Sequence, residues 1–585
     1  TIGEILNFNK NRLELGRYAV VSPTAKDALK YYNYYLIDTI YIDNHAVFIL
    51  EIEPKSQTTP LFKGTIKIAD SSFAVVGVDV GFNKGFDGFF FVNPRYSQVY
   101  SEFENKYWMP TLIQFNSLIN YKLPGISTYS VDYVASLHKF IFDSNLYDVE
   151  FDEYVLEVDN DADDVDSVKW NEGQIIPLTE EENYGYSHID SVEHAPKPIQ
   201  KRILGLTLKM LYLSIYAKDI FHFNRVEGAY LGYRRTFNRI FDRMTLQLKS
   251  GYAFDGNYWQ HNYSFNYLIS KKQKISVGVD YHDEIRTRLT VISRTNGNAT
   301  LMAITNKTDP YDYYLEKGFT IKAHTKLFNY TGLQISYHDV NQYTVANNTE
   351  YSFFRQAKQH RSNPAIVEGK LRSLSATFRY DSSKLIKEKN REKPIYSLPY
   401  TLFSGSIEYA SDRLIDNDYN FRRYYFWFYR RQRLFDYGIG SIYIFAGVSE
   451  KTLPPQKYFT VDFGSRAFEN TLSFHTLGEY NFSGSRIMSA YTSYDFGRKL
   501  FRQSGLPLIK DIPFTLIIHG GVFWSDFNNN PYQPGDEFIN TAPNSYSELG
   551  FSLGQMLPLN ITTNFTWQLS NHATNGFSIS FSGNF

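Results

Sequence analysis

The closing residues of the chain alternate. Phe577, Ile579, Phe581 and Phe585 fall on one parity, Ser578, Ser580, Ser582 and Asn584 on the other, with Gly583 the one small residue in the apolar series. Side chains on a strand point to opposite faces with a period of two, so this segment has one greasy face and one wet face. A helix would scatter both sets around its axis. Just upstream, Leu559, Ile561, Phe565, Trp567 and Leu569 alternate with Asn560, Thr562, Asn564, Thr566 and Gln568. The two segments read as a hairpin connected around Asn571 to Gly576.

The pattern recurs upstream: Ile275, Val277, Val279 and Tyr281 against Ser276, Gly278 and Asp280, and Leu333, Ile335 and Tyr337 against Gln334, Ser336 and His338. Further apolar series are Leu374, Ala376, Phe378 and Tyr380; Phe403, Ile407 and Tyr409; and Phe514, Leu516, Ile518, Val522 and Trp524. From about Asn224 to Phe585, roughly sixteen such segments can be placed, each near the ten-residue length of a tilted membrane strand. A soluble sandwich alternates too, but it fills its inner face with Val, Ile and Leu. Here that face carries Ser, Thr, Asn and Gly. Composition agrees: 48 Tyr and 47 Phe raise the aromatic share to 17% while the net charge is only -1. Amphipathic rings without excess aliphatics suit strands girdled by aromatics at two membrane interfaces. The expected fold is mainly β, a transmembrane antiparallel β-barrel of about sixteen strands preceded by a small periplasmic β-rich domain. Phe581 and Phe585 are expected to serve as the C-terminal insertion signal, since outer-membrane strands commonly end in an aromatic residue.

Residues 1–145 read as the β-rich domain, with a helix over Thr24 to Tyr32 and strands over Tyr35 to Ile42, Ala46 to Glu53, Leu61 to Ala69 and Phe73 to Val80. The last two resemble the hairpins of the periplasmic lipoprotein-carrier fold. Residues 146–200 read as an acidic linker, and 201–585 as the barrel. The window Asp161 to Glu172 lacks the glycine of a calcium loop, so no metal site is expected there. Thr1 opens no leader with a basic start and apolar centre, and the numbering is expected to begin inside a longer precursor.

Several chemistries are excluded or find no support. Cysteine is absent, which removes disulfides, thiolate ligands and thiol catalysis. Gly550-Phe551-Ser552-Leu553-Gly554 has the spacing of a nucleophile elbow, but it continues a strand alternation where the elbow requires a strand-to-helix turn. No His-Glu-x-x-His pattern, phosphate loop or dinucleotide loop occurs, and near-neutral charge gives no sign of nucleic-acid binding. No catalytic, cofactor or metal site is expected.

Phe223-Asn224-Arg225-Val226-Glu227-Gly228 resembles the first strand of BamA/TamA-type barrels, which assemble or secrete proteins at outer membranes. Gly447, Leu453-Pro454-Pro455, Tyr458-Phe459 and Ser465-Arg466-Ala467-Phe468 follow the order of that superfamily's lid-loop region, with Ala467 where the usual motif has Gly. The resemblance implies that Arg466 locks onto an acidic partner wall, for which Asp495 and His519 are the candidates. His519 stands at the usual acidic position. The chain as a whole resembles a Bacteroidota family of outer-membrane proteins in which a carboxypeptidase-regulatory-like domain precedes a BamA-like barrel. The matching stretches include Tyr41-Ile42-Asp43, Ile176-Pro177-Leu178-Thr179 and Leu506-Pro507-Leu508-Ile509. By analogy the expected role is noncatalytic, in outer-membrane biogenesis or export within an envelope complex. The alternative is a transport channel or scaffold barrel. Expected partners are outer-membrane lipids, lipopolysaccharide and other outer-membrane proteins or lipoproteins.

Overall fold

The computed structural model describes residues 6–142, 154–158, 176–193 and 219–583, apart from 43–44, 71, 87–90, 120–127, 242, 271–273, 289–296, 310, 389–390, 397–398, 414–415, 435–437, 462–472, 478–480, 508, 510–513, 528–538, 555–560 and 573. Sixteen strands pair in sequence order, each antiparallel to the next. They are Phe221–Asn224, Gly228–Ile240, Met244–Ala253, Tyr258–Ser270, Ile275–Thr287, Tyr313–Lys326, Thr331–Thr344, Gly369–Asp381, Tyr400–Ala410, Phe421–Leu434, Gly438–Lys451, Arg486–Gly497, Thr515–Asp526, Ala542–Gly554, Ile561–Gln568 and Phe577–Gly583. This sheet is the β-barrel that the alternation requires.

The two faces separate cleanly. On the last strand Phe577, Ile579 and Phe581 are 45%, 47% and 44% exposed, while Ser578, Ser580 and Ser582 are 5%, 0% and 1% exposed. Elsewhere Val279, Ile321, Ile335, Leu374 and Ile407 point outward and His282, Ser336, Ser373 and Ser406 inward. An outer surface of exposed apolar side chains over an inner surface of small hydroxyls matches hydrocarbon outside and polar groups inside. Each strand from the second to the fifteenth has an antiparallel neighbour on both sides, the backbone pairing that a bilayer favours because it offers no water to unpaired amides. Among the described residues no helix is long and apolar enough to cross a membrane.

The two ends of the barrel differ. Long stretches of sequence separate the strands at one end, between Thr287 and Tyr313, Thr344 and Gly369, Lys451 and Arg486, and Asp526 and Ala542; at the other, the short-turn end, Ile240 and Met244, Lys326 and Thr331, and Leu434 and Gly438 are only a few residues apart. At the short-turn end the hairpin Lys384–Glu388 and Arg391–Ile395 projects between the eighth and ninth strands and takes up Tyr154–Val158 as a parallel third strand. Residues Glu180–Glu193 form a helix opened by Thr179, whose hydroxyl and amide both meet the Glu182 carboxylate in a capping box.

The N-terminal region is a seven-stranded antiparallel meander, Tyr32–Ile42, His45–Pro54, Phe62–Ala69, Val75–Phe82, Phe91–Phe103, Tyr107–Ile119 and Tyr129–Ser136. Phe8, Val20, Tyr32, Ile52, Phe62, Ile66, Val80 and Ile113 form its core. The helix expected over Thr24 to Tyr32 shrinks to the single 3-10 turn Ala28–Lys30. Asp27 at its start makes no cap because Arg12 holds both carboxylate oxygens, at 2.9 and 2.8 Å. Tyr32 then leaves the turn with its hydroxyl donating to the Val21 carbonyl at 2.6 Å, which starts the edge strand.

Candidate functional site

The described parts of the connection between the eleventh and twelfth strands, residues 452–461, 473–477 and 481–485, pack against the inner face of the barrel wall. Pro454 and Pro455 open the connection, and the second of these starts the 3-10 turn Pro455–Lys457, where a missing amide costs nothing. Beyond the turn, Tyr458, Phe459, Phe474, Leu477 and Phe482 are all at most 3% exposed. The wall is hollowed to receive them. A Cβ on Gly447 would lie 2.7 Å from the Phe459 ring, and one on Gly521 2.7 Å from the Phe474 ring, so only glycine lets these rings reach the sheet. Phe474 then packs edge-on against Phe523 and Tyr491, at ring distances of 5.0 and 5.4 Å, and Phe482 lies 5.1 Å from Phe523.

Two inward carboxylates latch this loop to the wall. Glu408, on the ninth strand, pairs with Lys457 of the loop at 3.2 Å and with Arg423 of the tenth strand at 2.6 Å. Arg423 also donates to the Lys457 carbonyl at 3.0 Å, and Ser373 donates to Glu408 at 3.0 Å. Glu548, on the fourteenth strand, accepts the backbone amides of His475 and Thr476 at 2.9 and 3.0 Å and the Thr476 hydroxyl at 2.6 Å. Between them Gln456 donates to Gln342 at 2.9 Å and to the Val367 carbonyl at 2.8 Å. Gln342 in turn donates to Glu316, which also meets His282 and Arg286. Charge-assisted hydrogen bonds of this kind are stronger than neutral ones, and each carboxylate here serves several donors.

Of the residues singled out by resemblance, Asp495, His519 and Phe581 fall among the described residues. Ser465, Arg466, Ala467 and Phe468 lie outside the described residues, as does Phe585. Asp495 points inward at the short-turn end and pairs with Arg17 of the N-terminal region. His519, two rungs away on the neighbouring strand, bonds Ser552 at 2.9 Å and Thr566 at 3.0 Å. Ser552 therefore sits in mid-strand, inside the wall. Phe581 faces outward on the last strand. Among the described residues no group of three or more His, Asp or Glu could hold a metal ion.

Arg17 is one of several links between the N-terminal region and the short-turn end. Arg433 pairs with Glu14 at 3.1 Å and donates to the Gly16 carbonyl, and Arg502 donates to the Lys84 carbonyl. The same motif search left Glu408, Lys457 and Glu548 unmarked. The glutamates had a signal: each shares the inward parity with small residues next to it, Ser404 and Ser406 beside Glu408, and Gly550 and Ser552 beside Glu548.

The Asn224 to Gly228 motif forms the first hairpin turn. Asn224 accepts the amides of Val226 and Glu227 at 2.9 and 2.8 Å, and Gly228 adopts φ +67° beside Asp255, where a Cβ would collide. Glu227 is buried against His222, Asn224 and Gln260.

Comparison with known proteins adds the following. Residues 2–140 match the model of DUF5686, a family of unknown function. No protein of curated function matches the sequence. Among solved structures, the chain is similar to BamA from Haemophilus ducreyi lacking POTRA domains 1-3, at 10% identity and a TM-score of 0.38, over 62% of this chain and 68% of that one. CdiB from Acinetobacter baumannii is similar at 10% identity and a TM-score of 0.32, over 62% of this chain and 57% of that one. OccK3 (OpdO) from Pseudomonas aeruginosa is similar at 9% identity and a TM-score of 0.25, over 94% and 91%. The protein is an outer-membrane-type β-barrel with a β-rich N-terminal region.

Proposed function

We propose that this chain is a noncatalytic outer-membrane barrel acting in envelope biogenesis or protein export, with its N-terminal region in the periplasm and other outer-membrane proteins or lipoproteins as partners. The observation that carries the reading is the inner loop latched at Glu408 and Glu548, which packs Phe459, Phe474 and Phe482 against the inner wall. A channel for steady diffusion of a solute needs a water-filled bore, whereas here a loop turned inward carries aromatic rings against the wall. The orientation follows from the ends: short turns face the periplasm and long loops the outside in such barrels. The docked N-terminal region contacts the short-turn end. Lipids and lipopolysaccharide then surround the apolar outer face.

The test pairs two measurements. Purified full-length protein in planar bilayers should give no steady conductance, and depletion from cells should lower the levels of other outer-membrane proteins measured by quantitative mass spectrometry. A stable open current, or an unchanged outer-membrane proteome, overturns the proposal; the current would favour transport instead.

A further inference from the structure

Beneath the long loops, three arginines crowd two aspartates. Arg225 of the first hairpin turn is 0% exposed and pairs with Asp309 at 3.1 Å and Asp312 at 3.5 Å. Arg288 reaches Asp312 through Nη1 at 3.0 Å, and Arg361 reaches the same carboxylate at 2.6 Å. One carboxylate thus serves three guanidiniums from three connections: the first hairpin, the 288–312 loop and the 345–368 loop. Asp309 is engaged by Arg225 and by the Tyr313 hydroxyl at 2.8 Å. The nearby Glu227 already accepts from His222, Asn224 and Gln260. Burial acts to raise the Asp312 carboxyl, yet Arg288, Arg361 and Arg225 outweigh it and hold it below the usual carboxylate range.

Arg288 is left with its better half unused. Its side chain is 3% exposed, and both Nε and Nη2 are buried with no hydrogen-bond partner among the described residues; Arg225 Nε is in the same position. Nε and Nη2 form the side edge of a guanidinium, the edge that grips one acceptor with two parallel N–H bonds. A buried charged donor without an acceptor is costly, so such edges are paired in folded proteins. The adjacent stretch 289–296 carries no carboxylate.

We propose that the Nε/Nη2 edge of Arg288 binds a small monovalent inorganic anion of chloride size, which completes the Arg225, Arg288 and Arg361 cluster and ties the long loops to the first hairpin. The site is distinct from the lid latches and does not depend on the role proposed for the barrel.

Bromide is the probe for the test. Crystals of the full-length protein soaked in sodium bromide should show an anomalous peak within hydrogen-bond distance of Arg288 Nε and Nη2. In detergent, the melting temperature should rise with sodium chloride relative to sodium gluconate at equal ionic strength, saturating as a single binding site requires. Arg288→Met should abolish that chloride-specific rise. Water alone at the guanidinium edge, or the same chloride response in Arg288→Met, overturns the assignment. If the variant does not fold, the bromide experiment on the native chain decides.

Discussion

Removing the Glu548 carboxylate tests the lid latch directly. In Glu548→Ala the amides of His475 and Thr476 and the Thr476 hydroxyl lose their shared acceptor at once. Hydrogen bonds to a charged group contribute about 1.5 to 3 kcal/mol each, but bonds to one acceptor are not additive. An estimate of about 3 to 5 kcal/mol for the local release is therefore reasonable, of the same size as breaking a buried polar pair. At about 1.4 kcal/mol per factor of ten, the open population of the 475–477 segment should rise by roughly two to nearly four powers of ten. Hydrogen exchange with mass spectrometry reads that population through the two amides. Unchanged protection of residues 473–477 in a folded Glu548→Ala barrel would refute the claim that this carboxylate holds the loop.

Three other outcomes follow from the contacts. Glu408→Ala strands Arg423 and Lys457 as buried cations, so unfolding in detergent should become easier by about 3 to 5 kcal/mol, read from heat-modified mobility on gels. The Arg17 and Asp495 side chains are 19% and 22% exposed, so Arg17→Glu should loosen docking of the N-terminal region by about 1 kcal/mol. Adding Asp495→Arg should restore it, as pulsed spin-label distances between Lys26 and Lys326 positions would show. The Asp27 carboxyl is pushed down to about 2 by its hydrogen bonds to Arg12. A depressed folded pKa gives stability that is present above the unfolded value, about 3.9, and is lost as pH falls through about 2. Exchange protection of residues 12–21 should therefore decline across that window, and Asp27→Asn should flatten the decline.

The barrel was legible because outward and inward residues take turns along a strand, as where Phe577, Ile579 and Phe581 differ from their serine neighbours in size and polarity, although Tyr491, Phe523 and Tyr546 place bulky rings inward. The first four strands of the N-terminal meander were legible for the same reason, to within a few residues at each end, while those over Phe91–Phe103, Tyr107–Ile119 and Tyr129–Ser136 were not placed. The failed helix over Thr24 to Tyr32 shows the limit. Helical composition over Thr24 to Tyr32 does not reveal that Arg12, on an earlier strand, takes both carboxylate oxygens of Asp27. The latches were hidden by a related effect. Parity shows that Glu408 and Glu548 face the lumen, but not that a loop returns to meet them, because the pairings of Glu548 with Thr476 and Glu408 with Lys457 span 72 and 49 residues.

The magnitudes also decide what single latch variants cannot do. Full withdrawal of the lid would expose Phe459, Phe474 and Phe482, each worth about 1.5 to 3 kcal/mol in water, in addition to breaking both latches. Together these exceed about 10 kcal/mol, which leaves a negligible open population for the isolated protein. A partner or client that opened the bore would have to bind the open state better by a comparable amount, since a ligand shifts an equilibrium only by its differential affinity. Glu548→Ala alone should accordingly stay electrically silent in planar bilayers even as its amides exchange. Deleting residues 455–482 removes both the latches and the three rings, and should convert the silent barrel into a steadily conducting one. A deletion barrel that folds, shows heat-modified mobility and still passes no current would mean that something other than this loop closes the lumen.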